Sequence, residues 1–269
     1  MDLVDAKHAA RTARRALLKR GQYALMRHIR VRTPEERRLL EAGPRVLANS
    51  IPKAGTNLLA RLMRMFPNTV DRWSYHIDET LPGIERQLRA GRRGQVVTAH
   101  LPWSEEIAKL VSDLDYRVLM MVRDPRDIAV SNVNYVTRMD LSQPLHRIMT
   151  RLDDDDARLL TMIDPPAEVL ARLPKVWKND GLATFLQWLE DLVGTKGGGS
   201  EARQNETIRQ IADHIGTNVD NAFLHKTARE LFGNLGSKTF HKGQIGNWKA
   251  HFKPEHIAAF KRRSNEPLL

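Results

Sequence analysis

A lysine and a glycine stand two residues apart where an apolar run of the sequence gives way to a helical pattern. The apolar run covers residues 45–50, and the segment after it reads Pro52-Lys53-Ala54-Gly55-Thr56-Asn57. The first N–H groups of a helix have no intrahelical acceptor, Gly55 lets the main chain approach a ligand closely, and Lys53 adds a full positive charge. Together these features predict a binding loop for a phosphate-like anion.

The position of the lysine separates this loop from the phosphate loop of common nucleotide triphosphatases. In those proteins the lysine follows the last glycine, as in G-x-x-x-x-G-K-[ST]. Here Lys53 precedes Gly55, and the nucleotide-triphosphatase pattern occurs nowhere in the chain. The order argues against an ordinary ATPase or GTPase and leaves a phosphotransferase with a P-loop-like site as an alternative.

A second segment with anion-binding residue types begins at Arg123. Arg123 follows an apolar run, and Ser131 lies about two turns into the helical pattern that comes next. A strand tip and a helix face can together hold one phosphate group. The simpler alternative for Arg123 is an ion pair with Asp124 or Asp127.

A third segment lies near the C-terminus, where His241, Lys242 and Gly243 fall in a turn-rich loop that also suits an anion. Between the second and third of the apolar runs the chain carries a single histidine, His100, in Thr98-Ala99-His100-Leu101-Pro102. A lone histidine is more often structural than catalytic. His100, however, follows a strand-like run, and the ends of such strands are where catalytic groups lie in α/β folds.

The apolar runs predict central strands of a parallel sheet. They cover residues 45–50, 95–99 and 117–122, and each is closed by a polar or charged residue. Helical patterns follow the first and third runs, over 57–65 and 125–135. This alternation predicts an α/β fold with a doubly wound sheet that binds ligands at the carboxyl ends of its strands.

Positive charge is concentrated at the N-terminus. The formal net charge is +11, and residues 1–40 carry eleven Lys or Arg against four Asp or Glu. A basic helix over 6–28 and a short helix over 33–41, capped by Thr33, make residues 1–41 a basic helical segment. We favour a helix that packs its apolar stripe on the main domain, with peripheral contact to anionic membrane as the alternative.

The chain has no cysteine and no apolar run long enough to span a membrane. The absence of cysteine excludes disulfides, thiolate metal sites and cysteine nucleophiles, and it fits a reducing compartment. We therefore expect a cytoplasmic location.

Four motifs in one order make the chain resemble the sulfotransferases that use 3′-phosphoadenosine-5′-phosphosulfate (PAPS), of the cytosolic type and its bacterial relatives. The family's P-K-[SA]-G-T-[TN] loop is matched from Pro52 to Asn57, and its T-H-L-P histidine by His100. Its R-[ND]-P-[KR]-D-x-[AV]-[VT]-S motif is matched from Arg123 to Ser131. Its F-R-K-G-x-x-G-x-W-K motif is matched from Phe240 to Lys249, with His241 in the place of the arginine.

The resemblance implies that residues 42–269 form a sulfotransferase domain, a three-layer αβα fold with a central parallel sheet and a P-loop-like phosphosulfate-binding loop. It implies two catalytic residues, His100 as the base that removes the acceptor proton and Lys53 as the cation that stabilises the leaving group. It also implies that PAPS as co-substrate is bound by residues of several motifs: Lys53, Ala54, Gly55, Thr56, Asn57, Arg123, Ser131, His241, Lys242 and Gly243. No metal is required, because lysine and main-chain dipoles replace the magnesium of phosphoryl transfer.

The chain departs from the family at the adenine site. The family usually has a tryptophan after the opening loop that stacks on adenine, and this chain has Leu58 there. Phe232, in a segment that resembles the family's S-F-x-x-[ML], is the substitute that we predict for this contact.

A second departure concerns a strand. In the family a helix ending near a tryptophan is followed by a turn and an apolar strand that ends in R-[FY]-E-D-L. Here only Leu189 separates Trp188 from Glu190. We therefore expect about ten residues of a central strand to be absent, with a gap or a substitute segment beside the strand that ends at Arg123, and lower stability.

Two further function classes stay open beside an active sulfotransferase. One is a PAPS-binding relative with impaired catalysis, and the other, ranked last, is a nucleic-acid-binding protein, since no aromatic platform accompanies the positive charge. The acceptor, a small molecule or a carbohydrate with a hydroxyl or amine group, would bind among the loops 73–80, 103–107 and 134–148. The sequence does not predict the oligomeric state.

Overall fold

A computed structural model describes residues 33–70, 75–77, 83–102, 104–138, 145–165, 185–232 and 244–264, together with residues 14, 17, 18 and 21. In these residues five strands form one sheet of order β2-β3-β1-β4-β5, and all neighbouring strands run parallel. The strands are β1 (Arg45–Ser50), β2 (Tyr75–His76), β3 (Val96–Ala99), β4 (Tyr116–Val122) and β5 (Phe185–Trp188).

The helices of the same residues alternate with the strands in the first half of the chain. They are α1 (Pro34–Ala42), α2 (Thr56–Met65), α3 (Ile84–Arg89), α4 (Glu105–Asp113), α5 (Pro125–Arg138), α6 (His146–Met149), α7 (Asp155–Ile163), α8 (Leu189–Leu192), α9 (Glu201–His214), α10 (Asn221–Leu231) and α11 (Pro254–Ser264). Two 3₁₀ turns cover Thr195–Gly197 and Asn247–Ala250.

Helices cover both faces of the sheet. Side chains of β1 alternate between two cores, because successive residues of a strand point to opposite faces. Val46 and Ala48 join the core formed with α2, α9 and α10, and Leu47 joins the core formed with α3 and α4. The predicted three-layer αβα fold with a central parallel sheet is thereby confirmed.

The elements around the first loop follow the predicted bounds closely. β1 covers residues 45–50 as predicted, and α2 begins at Thr56, one residue before the predicted start. At the N-terminus of α1, the Thr33 hydroxyl accepts a hydrogen bond from the Glu36 N–H at 3.1 Å, as its N-cap position requires. Local sequence signals therefore determine these boundaries.

Most of the predicted basic helix over 6–28 lies outside the described residues. Arg14, Leu17, Leu18 and Gly21 are helical, and the side chains of Leu17 and Leu18 are exposed. The division at residue 41 stays a prediction. Among the described helices, none is long and apolar enough to cross a bilayer.

The expected absence of a central strand is wrong. β5 pairs with β4 over four residues, from Phe185 opposite Leu119 to Trp188 opposite Val122. Trp188 thus ends a strand and does not end a helix, and α8 begins directly after it at Leu189. The sequence misleads here because four residues are few for a strand, and the apolar spacing of Trp188-Leu189 with Leu192 fits a helix equally well.

We expect a ten-residue apolar insertion between Leu189 and Glu190 to lower the melting temperature by about 5 °C or more. Leu189 is buried, and its Cδ1 lies 2.6 Å from where a Cβ on Gly55 would stand. The Glu190 Oε1 accepts the Asp124 N–H at 3.1 Å. Leu189 and Glu190 are consecutive residues at the start of α8, and an insertion between them prevents the two contacts from forming together.

The same insert after Gly216 is the matched control, because open space surrounds that turn between α9 and α10. Differential scanning fluorimetry measures both variants. A melting temperature that rises with the insertion at Leu189 would restore the missing-strand interpretation.

Candidate active site

The loop between β1 and α2 has a backbone that most residue types avoid. Gly55 has φ +104° and caps α2, and Lys53, which is not a glycine, has φ +68°. A non-glycine residue in the left-handed region costs about 1 kcal/mol, which must be supplied by surrounding contacts. The turn brings the N–H groups at the start of α2 to the carboxyl edge of the sheet, where anions bind.

The Lys53 ammonium lies in a partly buried position beside a second cation. Its Nζ is 4.2 Å from the centre of the Tyr135 ring, a cation–π contact. Burial, and secondarily the positive charge of Arg123, lowers the pKa of Lys53 from 10.5 to about 8. No carboxylate of the described residues lies within ion-pair distance of Lys53. A bound anion would supply the missing negative charge.

Arg123 is held by main-chain oxygens and by one carboxylate. Its Nη1 donates to the Lys53 carbonyl at 3.5 Å and its Nη2 to the Gln244 carbonyl at 3.2 Å. The Asp127 Oδ2 lies 3.6 Å from Nη2. The Nε of Arg123 is buried, and no described residue accepts a hydrogen bond from it. The sequence-based alternative is thus partly correct, since Arg123 pairs with Asp127, but a buried donor remains to be satisfied.

Asp127 joins the start of α5 to the late loop of the chain. Its side chain is fully buried, and it accepts hydrogen bonds from the Gly246 N–H at 3.0 Å and the Trp248 N–H at 2.8 Å. Asp124 pairs instead with Arg126, whose guanidinium lies 3.8 Å from the centre of the Trp248 ring. Gly246 and Trp248 are therefore held beside Arg123.

Ser131 shares a face of α5 with the two residues that contact Arg123 and Lys53. It is one turn from Asp127, which contacts Arg123, and one turn from Tyr135, which contacts Lys53. Residues four apart on a helix share a face. The assignment of Ser131 to the anion site is compatible with this spacing and stays a prediction.

His100 follows β3 directly and lies next to the end of β1. Its Nδ1 is 2.8 Å from the Ser50 carbonyl oxygen. A carbonyl oxygen can only accept, so Nδ1 carries the proton, and the lone pair of the neutral ring is on Nε2. Asn49 holds the same segment, because its side-chain amide exchanges two hydrogen bonds of 2.9 Å with the main chain of Leu101. The ring of His76 packs edge-on at 5.0 Å.

The predicted residues of the late motif, His241, Lys242 and Gly243, lie outside the described residues. The residues that follow them are described and are anchored near Arg123: Ile245 N–H donates to the Gly197 carbonyl at 3.0 Å, and Gly246 contacts Asp127. The assignment of the three residues to the anion site stays a prediction.

Leu58, which stands where the family has a tryptophan, and Phe232, the predicted substitute for the adenine contact, both lie in the core. Leu58 and Phe232 are buried in the same apolar cluster, with 3% and 5% of their surface exposed. Phe232 packs beside Gly197. The contact of Phe232 with adenine stays a prediction.

Three residues of the site are not among the sequence-based candidates: Asn49, Ser50 and Tyr135. Tyr135 lies one turn beyond Ser131, and this spacing is the signal that identifies it. Asn49 and Ser50 are polar residues that close an apolar strand, which is unusual for a buried position. Among the described residues, no cluster of three or more His, Asp or Glu could hold a metal ion.

Replacement of Lys53 by methionine should stabilise the fold by about 1–2 kcal/mol at pH 7. The lowered pKa corresponds to roughly 3 kcal/mol of unfavourable charge burial, and solvent screening of the partly exposed amine reduces this value. Because the unfolded lysine keeps its proton up to pH 10.5 whereas the folded one loses it near pH 8, wild-type stability rises with pH between these values.

The difference between the variant and the wild type should therefore be full below pH 8 and should shrink towards pH 10.5, as measured by urea unfolding at several pH values. Lys109→Met is the control, since Lys109 is exposed and pairs with Asp113 at 2.9 Å, and we expect about 0.5 kcal/mol or less there. A destabilised Lys53→Met at pH 7 would contradict the charge-burial argument.

Comparison with known proteins connects this geometry to a family. Residues 44–180, just over half of the chain, match the sulfotransferase domain family. No curated protein sequence matches the chain significantly.

The fold is similar to that of solved structures. The mouse sulfotransferase SULT7A1 complexed with PAP has 19% sequence identity and a TM-score of 0.54, with 86% of this chain and 88% of that chain covered. Retinol dehydratase in complex with androsterone and the inactive cofactor PAP has 18% identity and a TM-score of 0.47, with 84% and 81% covered. The match of the family over residues 44–180, which contain the loop of Lys53, the strand end at His100 and the helix of Ser131, shows that the chain belongs to the sulfotransferase domain family.

Proposed function

We propose that the protein transfers a sulfuryl group from PAPS to a hydroxyl or amine group of a small-molecule or carbohydrate acceptor. One observation carries the proposal: Lys53, a cation without a carboxylate partner among the described residues, and His100, a histidine with its lone pair on Nε2, lie at the ends of adjacent strands. The cation suits an anionic donor, and the base suits an acceptor that must lose a proton. Family membership and the PAP in the mouse relative support the choice of co-substrate.

The residues fit PAPS at both of its anionic ends. The 5′-phosphosulfate would be bound by Lys53, whose charge has no carboxylate beside it, and by the main chain of Ala54, Gly55, Thr56 and Asn57. The 3′-phosphate would be bound by Arg123 and Ser131, with His241, Lys242 and Gly243 from the late loop. The buried Nε of Arg123, which has no acceptor in the described part of the chain, is the donor that such a phosphate would satisfy.

The transfer itself requires one base and one cation. His100 Nε2 accepts the proton of the acceptor hydroxyl while the acceptor oxygen attacks sulfur, and the bond between sulfur and the bridging oxygen of the phosphosulfate breaks. The electron pair of that bond remains on the phosphate of the product PAP, where Lys53 stabilises the developing charge. This contact strengthens as the bond breaks, so Lys53 should contribute more to turnover than to binding.

The alternatives lose support for separate reasons. A PAPS-binding relative with impaired catalysis was inferred from a missing strand, and β5 is present. A phosphotransferase is disfavoured by the order of Lys53 and Gly55. A cytoplasmic location and peripheral membrane contact of residues 1–41 are further proposals, which rest on composition alone.

We expect PAP, adenosine 3′,5′-diphosphate, to bind at least about tenfold more tightly than AMP, which corresponds to roughly 1.4 kcal/mol. The extra phosphate reaches Arg123 and its unsatisfied buried donor. Isothermal titration calorimetry measures both affinities.

Arg123→Gln should remove most of this preference, and Arg126→Gln should retain it, because Arg126 is already paired with Asp124 at 2.7 Å. Equal affinities of the wild type for PAP and AMP would contradict the assignment of the 3′-phosphate site.

His100→Ala should abolish turnover and leave the affinity for PAP within a few-fold, because a general base acts on the acceptor and not on the nucleotide. Sulfate transfer from PAPS to a panel of phenol and sugar acceptors is the activity measurement. His214→Gln is the control, since the His214 Nε2 also donates to a main-chain carbonyl, that of Val118 at 2.9 Å, away from this edge of the sheet. Wild-type rates in the His100 variant between pH 6 and 8 would show that another group is the base.

A further inference from the structure

Two hydroxyl groups, that of the buried Ser50 and that of the partly buried Thr56, connect the anion-binding loop to His100. The Ser50 Oγ lies 2.5 Å from the Thr56 Oγ1 and 3.3 Å from the His100 Nδ1. Ser50 is 1% exposed, so water does not compete for its hydroxyl group. The chain of contacts therefore runs from the first residue of α2, through Ser50, to the ring of the proposed base.

Ser50 contacts His100 in two ways that differ in their sensitivity to mutation. Its main-chain carbonyl accepts a hydrogen bond from the His100 Nδ1–H at 2.8 Å, and this hydrogen bond does not depend on the side chain of residue 50. Its hydroxyl oxygen accepts from the same N–H at the longer distance of 3.3 Å. This second contact restricts rotation of the imidazole ring about the hydrogen bond to the carbonyl. Only the hydroxyl contact can be removed by substitution, which makes its contribution measurable.

The hydroxyl of Ser50 is itself held in place by Thr56. A serine side chain has three staggered positions, and the contact with Thr56 selects the one that faces His100. Asn49 fixes the main chain after His100 through Leu101, so the histidine is held on both sides by consecutive residues of β1. Asn49 and Ser50 thus contact both the segment of His100 and, through Thr56, the anion-binding loop.

We propose that Ser50 is a positioning residue for His100, and that the Thr56–Ser50 hydroxyl pair transmits the geometry of the anion-binding loop to the imidazole ring. This inference rests on the proposed role of His100 as the base. If Thr56 donates its hydroxyl proton to a bound anion, Ser50 must donate its own hydroxyl proton to the Thr56 Oγ1. The lone pairs of the Ser50 Oγ then accept a hydrogen bond from the His100 Nδ1–H. Binding of the anion would then favour the ring orientation that presents Nε2 to the acceptor.

The first test is nuclear magnetic resonance of ¹⁵N-labelled histidine in the protein without acceptor, which needs no activity. The wild type should show His100 with Nδ1 protonated and Nε2 unprotonated when the ring is neutral. Ser50→Ala should exchange the Nδ1 proton with water at least about tenfold faster, the factor expected from loss of one modest hydrogen bond. Thr56→Val should act in the same direction, although Thr56 does not touch His100.

The double variant decides whether Thr56 acts through Ser50. If it does, Ser50→Ala with Thr56→Val should exchange no faster than Ser50→Ala alone. Additive effects of the two substitutions would overturn the connection. Thr69→Val is the matched control, because it removes another buried hydroxyl, bonded to the Met63 carbonyl at 2.5 Å, far from His100 in the fold.

The second test uses the proposed activity. Ser50→Ala should lower kcat about three- to tenfold and keep KM for PAPS within twofold, and Ser50→Thr, which retains a hydroxyl, should recover most of kcat. A raised KM with unchanged kcat would assign the hydroxyl to nucleotide binding and overturn the proposal.

The two tests separate the two hypotheses. Faster proton exchange in a protein without any sulfate transfer supports the positioning role and rejects the proposed function. If Ser50→Ala does not fold, the wild type still decides, because a protonated Nε2 and an unprotonated Nδ1 in neutral His100 would contradict the proposal without any variant.

Discussion

The structure depends on keeping two cations close together at the edge of a sheet with too little negative charge to neutralise them. Lys53 and Arg123 approach because β1 and β4 are neighbours in parallel register, which ends both strands at the same edge. Burial and the charge of Arg123 lower the pKa of Lys53. Since burial disfavours the charged form of Lys53 and leaves the Arg123 Nε without an acceptor among the described residues, the core beneath the edge must hold both cations in place. Val46, Leu119 and Met121 of β1 and β4 anchor that core together with α2.

One carboxylate, that of Asp127, lies near Arg123 but makes its shorter contacts with main-chain N–H groups. Its two oxygens accept the Gly246 and Trp248 N–H groups, and Arg123 Nη2 lies at a longer distance of 3.6 Å. Asp127 therefore attaches Gly246 and Trp248 to α5 and makes only a longer contact with the Arg123 guanidinium.

The sequence predicted the parts of the site that are determined locally. The strand, the turn at Lys53 and the start of α2 follow from residues that are adjacent in the chain, and the position of His100 follows from the end of β3. The contact of Tyr135 with Lys53 joins residues far apart in the sequence, so the helical spacing from Ser131 indicates the face on which Tyr135 lies but not the residue that it contacts. β5 was misread because the pairing with β4 overrides the ambiguous pattern of a four-residue segment.

Glu190, two residues after the end of β5, is a carboxyl group whose burial disfavours its charged form. Burial raises the pKa of Glu190, although the Asp124 N–H donates to its Oε1. The Glu190 Oε2 is buried, and none of the residues that the structure describes donates to it. Asp124 differs because hydrogen bonds from Arg126 outweigh its burial and lower its pKa. Lys53, Arg123 and Glu190 thus all carry a cost of burial within one edge of the sheet. Such unsatisfied groups persist where a fold is selected for binding rather than for stability, because a ligand that satisfies them gains the free energy that the empty site lacks.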